Sequence, residues 1–160
     1  MRTEHPRQYR DTKVDVKLVL SALWITMLFV FAYVDIFGFY RADVLEAALD
    51  GEVATTSFAV NQAFLVFALI YILPPTLMVI LSLLLKPRVN RIVNVVVSAL
   101  YATSILALVV SEEWTYYVIG SIVEAGLLLA IARIAWTWPP PEPAPALSVR
   151  RNEPAALWAR

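Results

Sequence analysis

The chain contains no cysteine and a single histidine, and both scarcities exclude whole classes of site. Among its 160 residues there is no thiol, which excludes disulfides, thiolate metal sites and a cysteine nucleophile. The one histidine, His5, lies in the polar leading segment. We therefore predict neither a histidine-rich metal site nor a Ser-His-Asp triad in the apolar part of the chain. No cofactor is expected, no catalytic residue is assigned, and the chain is not predicted to be an enzyme.

Glycine and charged residues are also scarce. The 4 glycines form no phosphate-binding loop, and no HExxH motif is present. Only 16% of the residues are charged and 60% are hydrophobic, whereas soluble domains carry roughly 25% charged residues. Basic and acidic residues balance at 13 each, and the basic ones are divided among separate segments, so nucleic-acid binding is not expected. The composition indicates an integral membrane protein.

Long apolar runs dominate the rest of the sequence. Each is long enough as a helix to span a bilayer, which takes about 20 residues; they cover about residues 18–40, 58–85, 92–110 and 115–136. The first run is too long for the apolar part of a secretory signal, contains Asp35 and precedes no cleavage site, so we expect it to be retained. The predicted fold is an all-α, four-helix transmembrane bundle over residues 18–138.

Three polar segments flank or interrupt the bundle. Residues 1–17 form a mostly basic N-terminal segment, and residues 139–160 form a Pro-rich tail. Between the first two runs, an acidic stretch at 43–50 has apolar residues at helical spacing. It predicts a short amphipathic helix on the outer membrane surface, with Asp43 as its cap and Gly51 as its stop.

Charge placement predicts the orientation of the bundle. If the runs alternate across the membrane, 12 of the 13 basic residues fall on the side of both termini, and Arg41 alone falls on the other side. Cytoplasmic segments of membrane proteins carry the excess of Lys and Arg, so we expect both termini in the cytoplasm. Lys86, Arg88 and Arg91, in the turn before the third helix, are predicted to fix the topology and to contact anionic lipid.

Two acidic residues interrupt the apolar helices and form the core of a candidate ion site. Asp35 and Glu124 are both predicted in the outer half, where a carboxylate costs on the order of 2.5–3.5 kcal/mol at mid-helix. Asn61 and Tyr117 are predicted to line the same polar cavity. The acids have two interpretations. They share a proton in a relay for protons or cations, or each acid is protonated, or hydrogen-bonded to Tyr, Ser or Asn, and only holds the bundle together.

Other polar and proline residues have structural as well as functional interpretations. Pro74 and Pro75 interrupt the second run and predict either a hinge at a site or a kink that improves packing. Asn90 and Asn94 lie four residues apart on the third helix, and we expect them to hydrogen-bond to a neighbouring helix near the inner face.

Several short segments carry a resemblance to a known family: Val16–Trp24, Tyr33–Ile36, Arg88–Arg91 with Asn94, Tyr116–Tyr117 with Ile122–Glu124, and Ala135–Trp138. Over residues 14–138 the chain resembles a family of small four-helix bacterial membrane proteins that carries only a domain-of-unknown-function label. The resemblance implies the four-span architecture and a bacterial inner membrane, and its polar pattern matches Asp35, Asn90, Arg91, Asn94 and Glu124. It implies no activity. Members often place a further acid where this chain has Leu73, so a three-carboxylate site would be incomplete here.

Two functions remain open at this stage, and a third has little support. One is a non-catalytic accessory subunit of a membrane complex, with the Pro-rich tail as a contact. The other is a small proton- or cation-coupled transporter that uses Asp35 and Glu124 and works as a homo-oligomer. A lipid-modifying enzyme would need a nucleophile or metal constellation that the residue spacing does not mark.

Overall fold

The computed structural model describes residues 13–54, 58–110 and 112–138. Within these residues the chain is all-α, with helices α1 Val16–Gly38, α2 Ala42–Leu49, α3 Gln62–Leu84, α4 Pro87–Val109 and α5 Thr115–Trp136. Four of them, α1, α3, α4 and α5, are long and apolar enough to cross a membrane. The predicted all-α fold is confirmed, and the protein is a multi-pass membrane protein. Most of the N-terminal segment and the Pro-rich tail lie outside the described residues.

Capping side chains explain where two of the long helices begin. Helix α1 begins at Val16, two residues before the predicted start, because the Asp15 carboxylate accepts a hydrogen bond from the Lys17 amide at 2.7 Å. Helix α3 begins at Gln62, later than predicted, because the Asn61 side chain accepts from the Phe64 amide at 3.0 Å.

The other helix ends also follow from local chemistry. Helix α4 begins five residues before the predicted start because Pro87 occupies its first turn, where a missing amide donor is harmless. The prediction that Asp43 caps α2 is wrong, since the cap is Arg41 and Asp43 lies in the first turn, where its charge suits the helix dipole. Gly51 follows the end of α2 with a φ of 78°, a conformation that favours glycine.

The helices pack around α5. Helix α5 contacts both α1 and α4 extensively, α1 also contacts α3, and α3 contacts α4 much less. Residues of all four long helices form the hydrophobic core: Leu20, Trp24, Met27, Met78, Ala102, Ile105, Leu128, Ile131 and Ala135. We call the end that holds the start of α1, the α3–α4 turn and the end of α5 the lower half of the bundle. The opposite end is the upper half, which corresponds to the predicted outer side.

A buried network of polar side chains joins three helices in the lower half. Asn94 on α4 accepts hydrogen bonds from Trp24 Nε1 on α1 at 2.8 Å and from Ser82 Oγ on α3 at 3.3 Å. Its Nδ2 donates to Asn90 Oδ1 at 2.6 Å, and Asn90 Nδ2 donates to the Ser82 carbonyl at 2.6 Å. The prediction that Asn90 and Asn94 bond to neighbouring helices is therefore confirmed.

Candidate functional site

Glu124 is a buried acid on α5 that has an unpaired oxygen. The residue is 3% exposed, and its Oε1 has no hydrogen-bond partner among the described residues. It lies nine residues after the start of α5, which places it about 13 Å along the helix. A carboxylate without a partner in such surroundings is strongly disfavoured. The side chain therefore suits binding of a proton or of a cation.

Asp35 lies nearer the upper end of the bundle and nearer its surface. Helix α1 ends at Gly38, so Asp35 is three residues, or about 5 Å, from the helix end. Its side chain is exposed on the isolated bundle. Asp35 and Glu124 are close enough to interact electrostatically, and partly buried Tyr117 interacts with both of them. The structure thus brings together three of the four residues predicted for the site.

A close contact between α1 and α5 sets the relative depth of the two acids. A Cβ added at Gly120 would lie 2.3 Å from Val34 Cγ2, so only glycine permits this approach. A Cβ added at Gly38 would lie 3.7 Å from Tyr116 Oη, which shows that the two helices run antiparallel. Extending this register places Glu124 about five residues below Asp35, a separation of about 8 Å in depth.

Asn61, the fourth predicted residue, has a different position. It lies at the upper end of α3 with an exposed side chain whose oxygen caps that helix. The cap is a sufficient structural reason for an asparagine there. Asn61 therefore lies at the rim of the upper half, and its hydrogen bond stabilises the start of α3.

A cluster of hydroxyl groups joins α3 to α4 beside the acids. Tyr71 Oη and Ser104 Oγ are 2.8 Å apart, and the Tyr101 hydroxyl donates to the Tyr71 carbonyl. The two tyrosine rings lie 5.0 Å apart between centroids. Tyr117 also interacts electrostatically with Tyr71. Sequence reasoning missed Tyr101 and Ser104, although Tyr101 follows Asn94 and Ser98 at the spacing of one helix face.

The two prolines lie within a helix that continues through them. Helix α3 runs unbroken from Gln62 to Leu84, and Pro75 is buried. A proline has no amide hydrogen, so Pro75 leaves the carbonyl of residue 71 without its partner within the helix. The Tyr101 hydroxyl takes that place. The diproline thus provides a backbone acceptor that α4 uses.

Arg41, which the sequence prediction did not include in the site, forms an ion cluster above it. The residue is 8% exposed, and its guanidinium pairs with Asp43 at 2.6 Å and with Glu112 at 3.2 Å. It also lies 4.7 Å over the Trp114 ring. Its hydrogen bond to Asp43 holds the pKa of that carboxyl below its usual range. The sequence did contain a signal for this cluster, because Arg41 is the one basic residue on the predicted outer side, where the other charged residues are acidic.

The predicted lipid-contact residues lie together at the lower end. Lys86 is the cap of α4, Arg88 is in its first turn, and both are exposed. Arg91 lies 5.0 Å over the Trp136 ring at the end of α5. Their contact with lipid stays a prediction. Among the described residues, no group of three or more His, Asp or Glu side chains could hold a metal ion.

Comparison with known families gives one match. The model of a family described as "Family of unknown function (DUF6326)" matches residues 10–144, which include all four long helices and both intramembrane acids. No curated protein and no solved structure matches significantly. The function is therefore inferred from the geometry of the upper half.

Proposed function

The chain belongs to the DUF6326 family, whose function is unknown, and we propose that it is a small proton-coupled membrane transporter in which Glu124 binds and releases the coupling proton. The observation that carries this proposal is the buried, unpaired Oε1 of Glu124. A purely structural acid in a membrane helix is expected to have a hydrogen-bond donor beside it. An oxygen without one has capacity left for a proton or a cation.

The neighbours of Glu124 supply a route for that proton. Asp35 is exposed in the last turn of α1, and Tyr117 interacts electrostatically with both acids. A proton taken up at Asp35 would pass by the Tyr117 hydroxyl to Glu124, about 8 Å deeper. Two acids this close share protons because ionising both is costly. Release of the proton on the other side of the membrane, down its gradient, then drives the movement of a second solute.

The proposal includes a location and an assembly. We place the protein in a bacterial inner membrane, as the family that its sequence resembles implies. Both termini lie in the cytoplasm and the upper half faces outward, because Lys86, Arg88 and Arg91 lie at the lower end. These residues contact anionic lipid headgroups. Four helices enclose little volume, so the working unit is a homo-oligomer. We assign the protein no enzymatic activity and no cofactor.

Proteoliposomes provide the test. Vesicles containing the purified protein and an entrapped pH-sensitive dye receive an imposed pH gradient, with Na⁺, K⁺ or tetraphenylphosphonium as the probe solute. The parent protein is expected to dissipate the gradient faster than protein-free vesicles do with at least one probe. Glu124→Gln should abolish this difference, and Asp35→Asn should reduce it. Glu113→Gln is the matched control, because Glu113 is exposed in the loop before α5.

Two results would contradict the proposal. One is a parent protein that dissipates the gradient no faster than empty vesicles with any of the probes. The other is a Glu124→Gln variant that retains the parent's rate.

An accessory role in a larger membrane complex is the second candidate. It is favoured by the upper part of α3, where no residue from Gln62 to Pro74 is buried, so a partner helix could pack there. This candidate predicts that the protein co-purifies with a partner in mild detergent at native expression. Recovery as a homo-oligomer alone would count against it.

A further inference from the structure

Helix α3 has two parts that differ in how they are held. We call residues 62–74 the upper arm of α3 and residues 75–84 its lower part. The buried residues of the helix, Pro75, Met78 and Ser82, all belong to the lower part. The upper arm has only exposed or partly buried side chains. Packing therefore anchors one part of this helix and leaves the other weakly held.

Hydrogen bonds to main-chain carbonyls anchor the lower part further. Ser21 Oγ donates to the Val79 carbonyl at 2.9 Å, and Asn90 Nδ2 donates to the Ser82 carbonyl at 2.6 Å. Lys17 Nζ donates to the Leu83 carbonyl at 3.0 Å and to the carbonyl of Leu85, the residue that follows the helix, at 2.9 Å. Neighbouring helices α1 and α4 thus bind the lower part at several successive turns.

Among the described residues, the upper arm has fewer polar links to the bundle. Its link to α4 consists of the Tyr101 hydroxyl on the Tyr71 carbonyl and the contact of Tyr71 Oη with Ser104 Oγ. Both links use residue 71, immediately above Pro74 and Pro75. The two prolines remove two consecutive amide donors, and sharp bends in helices occur where such bonds are missing.

We propose that the upper arm of α3 swings about Pro74–Pro75, with the Tyr101–Tyr71 hydrogen bond as the latch that holds it against α4. In the latched state the arm lies against α4 and closes that side of the upper half. Release of the latch frees the arm and opens that side to water and protons. This opening regulates access to the site of the proposed function, so its importance for transport rests on that function. The motion of the arm does not depend on the proposed function.

The position of Tyr71 supports the connection between arm and site. Tyr71 interacts electrostatically with Tyr117, which also interacts with Asp35 and Glu124. Its ring lies 6.3 Å from the Phe31 ring on α1. Tyr71 thus contacts both α1 and α4, and movement of the arm would separate it from them.

Pairs of spin labels measure the motion directly, and the absence of cysteine makes the natural chain a ready background for introduced cysteines. Leu65 and Ile119 are exposed at similar depth above the pivot, and Leu77 and Leu129 are exposed below it. In lipid, Tyr101→Phe should lengthen and broaden the distances of the upper pair. The ratio of open to latched molecules should rise about threefold, which corresponds to about 0.6 kcal/mol for one interhelical hydrogen bond in a membrane. The lower pair should not change.

Two further variants complete the design. Pro75→Ala restores an amide donor for the Tyr71 carbonyl and should narrow the distances of the upper pair. Thr103→Val is the matched control, because the Thr103 hydroxyl donates to the Ala99 carbonyl of its own helix, at 2.9 Å, and has no other hydrogen bond within the described part of the chain. It should change neither pair. Upper-pair distances that are the same in the parent, Tyr101→Phe and Pro75→Ala would overturn the proposal. Equal shifts in both pairs would overturn it too, since they indicate general loosening.

The same variants in the proteoliposome assay separate this proposal from the proposed function. If the upper pair shifts but the parent carries no protons, the hinge stands and the transporter fails. If proton flux depends on Glu124 but the distances do not respond, the transporter stands and the hinge fails. If both proposals hold, Tyr101→Phe should change the flux about threefold in parallel with the distances.

Discussion

The lower and upper halves of the bundle differ in how fully their buried polar groups are hydrogen-bonded. In the lower half, Asn94 uses both its amide oxygen and its amide nitrogen, and Asn90 does the same. In the upper half, Glu124 is equally buried but has an oxygen without a partner among the described residues. The difference teaches that burial alone does not mark a functional residue in a membrane protein. The unused hydrogen-bonding capacity of its oxygen is what makes Glu124 the candidate for binding a proton or a cation.

The halves also differ in how firmly their helices are joined. Polar bonds tie α1, α3 and α4 together below Pro74–Pro75. Above the prolines, α3 has no buried residue. A rigid lower half can hold a loosely packed upper half in place, and regions that move are drawn from the less stable parts of a structure.

Substitution of Asn94 should have the largest effect on stability. Asn94→Ala leaves Trp24 Nε1 and Ser82 Oγ without their acceptor and opens a small cavity in the lower half. We expect a loss of about 2–4 kcal/mol in the free energy of unfolding. Unfolding in mixed detergent micelles by titration with sodium dodecyl sulfate measures it.

The matched substitution in the upper half should behave differently. Glu124→Met replaces an acid whose Oε1 has no partner in the described part of the chain with an apolar side chain of similar size. We therefore expect no loss of stability and a gain of up to about 1 kcal/mol. If Glu124→Met destabilises the protein as much as Asn94→Ala does, both halves are structural and the contrast between them is wrong.

The close approach of α1 and α5 should have an intermediate effect. Gly120→Ala places a Cβ against Val34 and should reduce stability by about 1–3 kcal/mol. Adding Val34→Ala removes the clashing methyl group, because the Val34 Cβ itself lies at an ordinary 3.6 Å from the added carbon. The double variant should therefore recover most of the loss in the same micelle assay.

Gly126→Ala is the control for this pair, because nothing lies within 4 Å of an added Cβ there. It should leave stability unchanged or raise it by up to about 1 kcal/mol, because alanine favours the helix more than glycine does. If Gly120→Ala proves as mild as Gly126→Ala, the register that sets the depth of the two acids is incorrect.

The Arg41 cluster should give the smallest effect, visible as a pH dependence. The pKa of Asp43 is lowered in the folded protein by its hydrogen bond to Arg41. A lowered folded-state pKa contributes stability that is complete above the unfolded-state value, about 3.9, and disappears as the pH falls through the folded-state value. Asp43→Asn should slightly lower the melting temperature at neutral pH. The difference from the parent should shrink in acid, and a difference that grows in acid would contradict the ion pair.

The sequence predicted the long helices because apolar runs of this length have no other stable structure in a membrane. Helix α5 begins and ends within residues 115–136, as expected. The starts of α1 and α3 were missed because they depend on single side chains, Asp15 and Asn61, whose capping bonds form only in the right local geometry. The early start of α4 could have been predicted, since proline favours the first turn of a helix and Pro87 lies there.

Only part of the candidate site could be predicted from the sequence. Two acids in apolar helices are conspicuous, and Tyr117 lies two turns before Glu124 on the same face. The bond from Tyr101 to the carbonyl freed by Pro75 depends on how α3 and α4 are rotated and aligned, which no pattern within one helix encodes. The Arg41 cluster likewise needs the loops after α1 and before α5 to meet.

The most direct test of the central claim is whether Glu124 binds a proton. Dicyclohexylcarbodiimide modifies protonated carboxyl groups in apolar surroundings, and mass spectrometry of peptides from protein labelled in lipid locates the modified residue. The account predicts that Glu124 is modified, that the extent falls as the pH rises and the proton leaves, and that Glu124→Gln removes the signal. A Glu124 that stays unmodified at every pH at which the protein is folded would contradict the account.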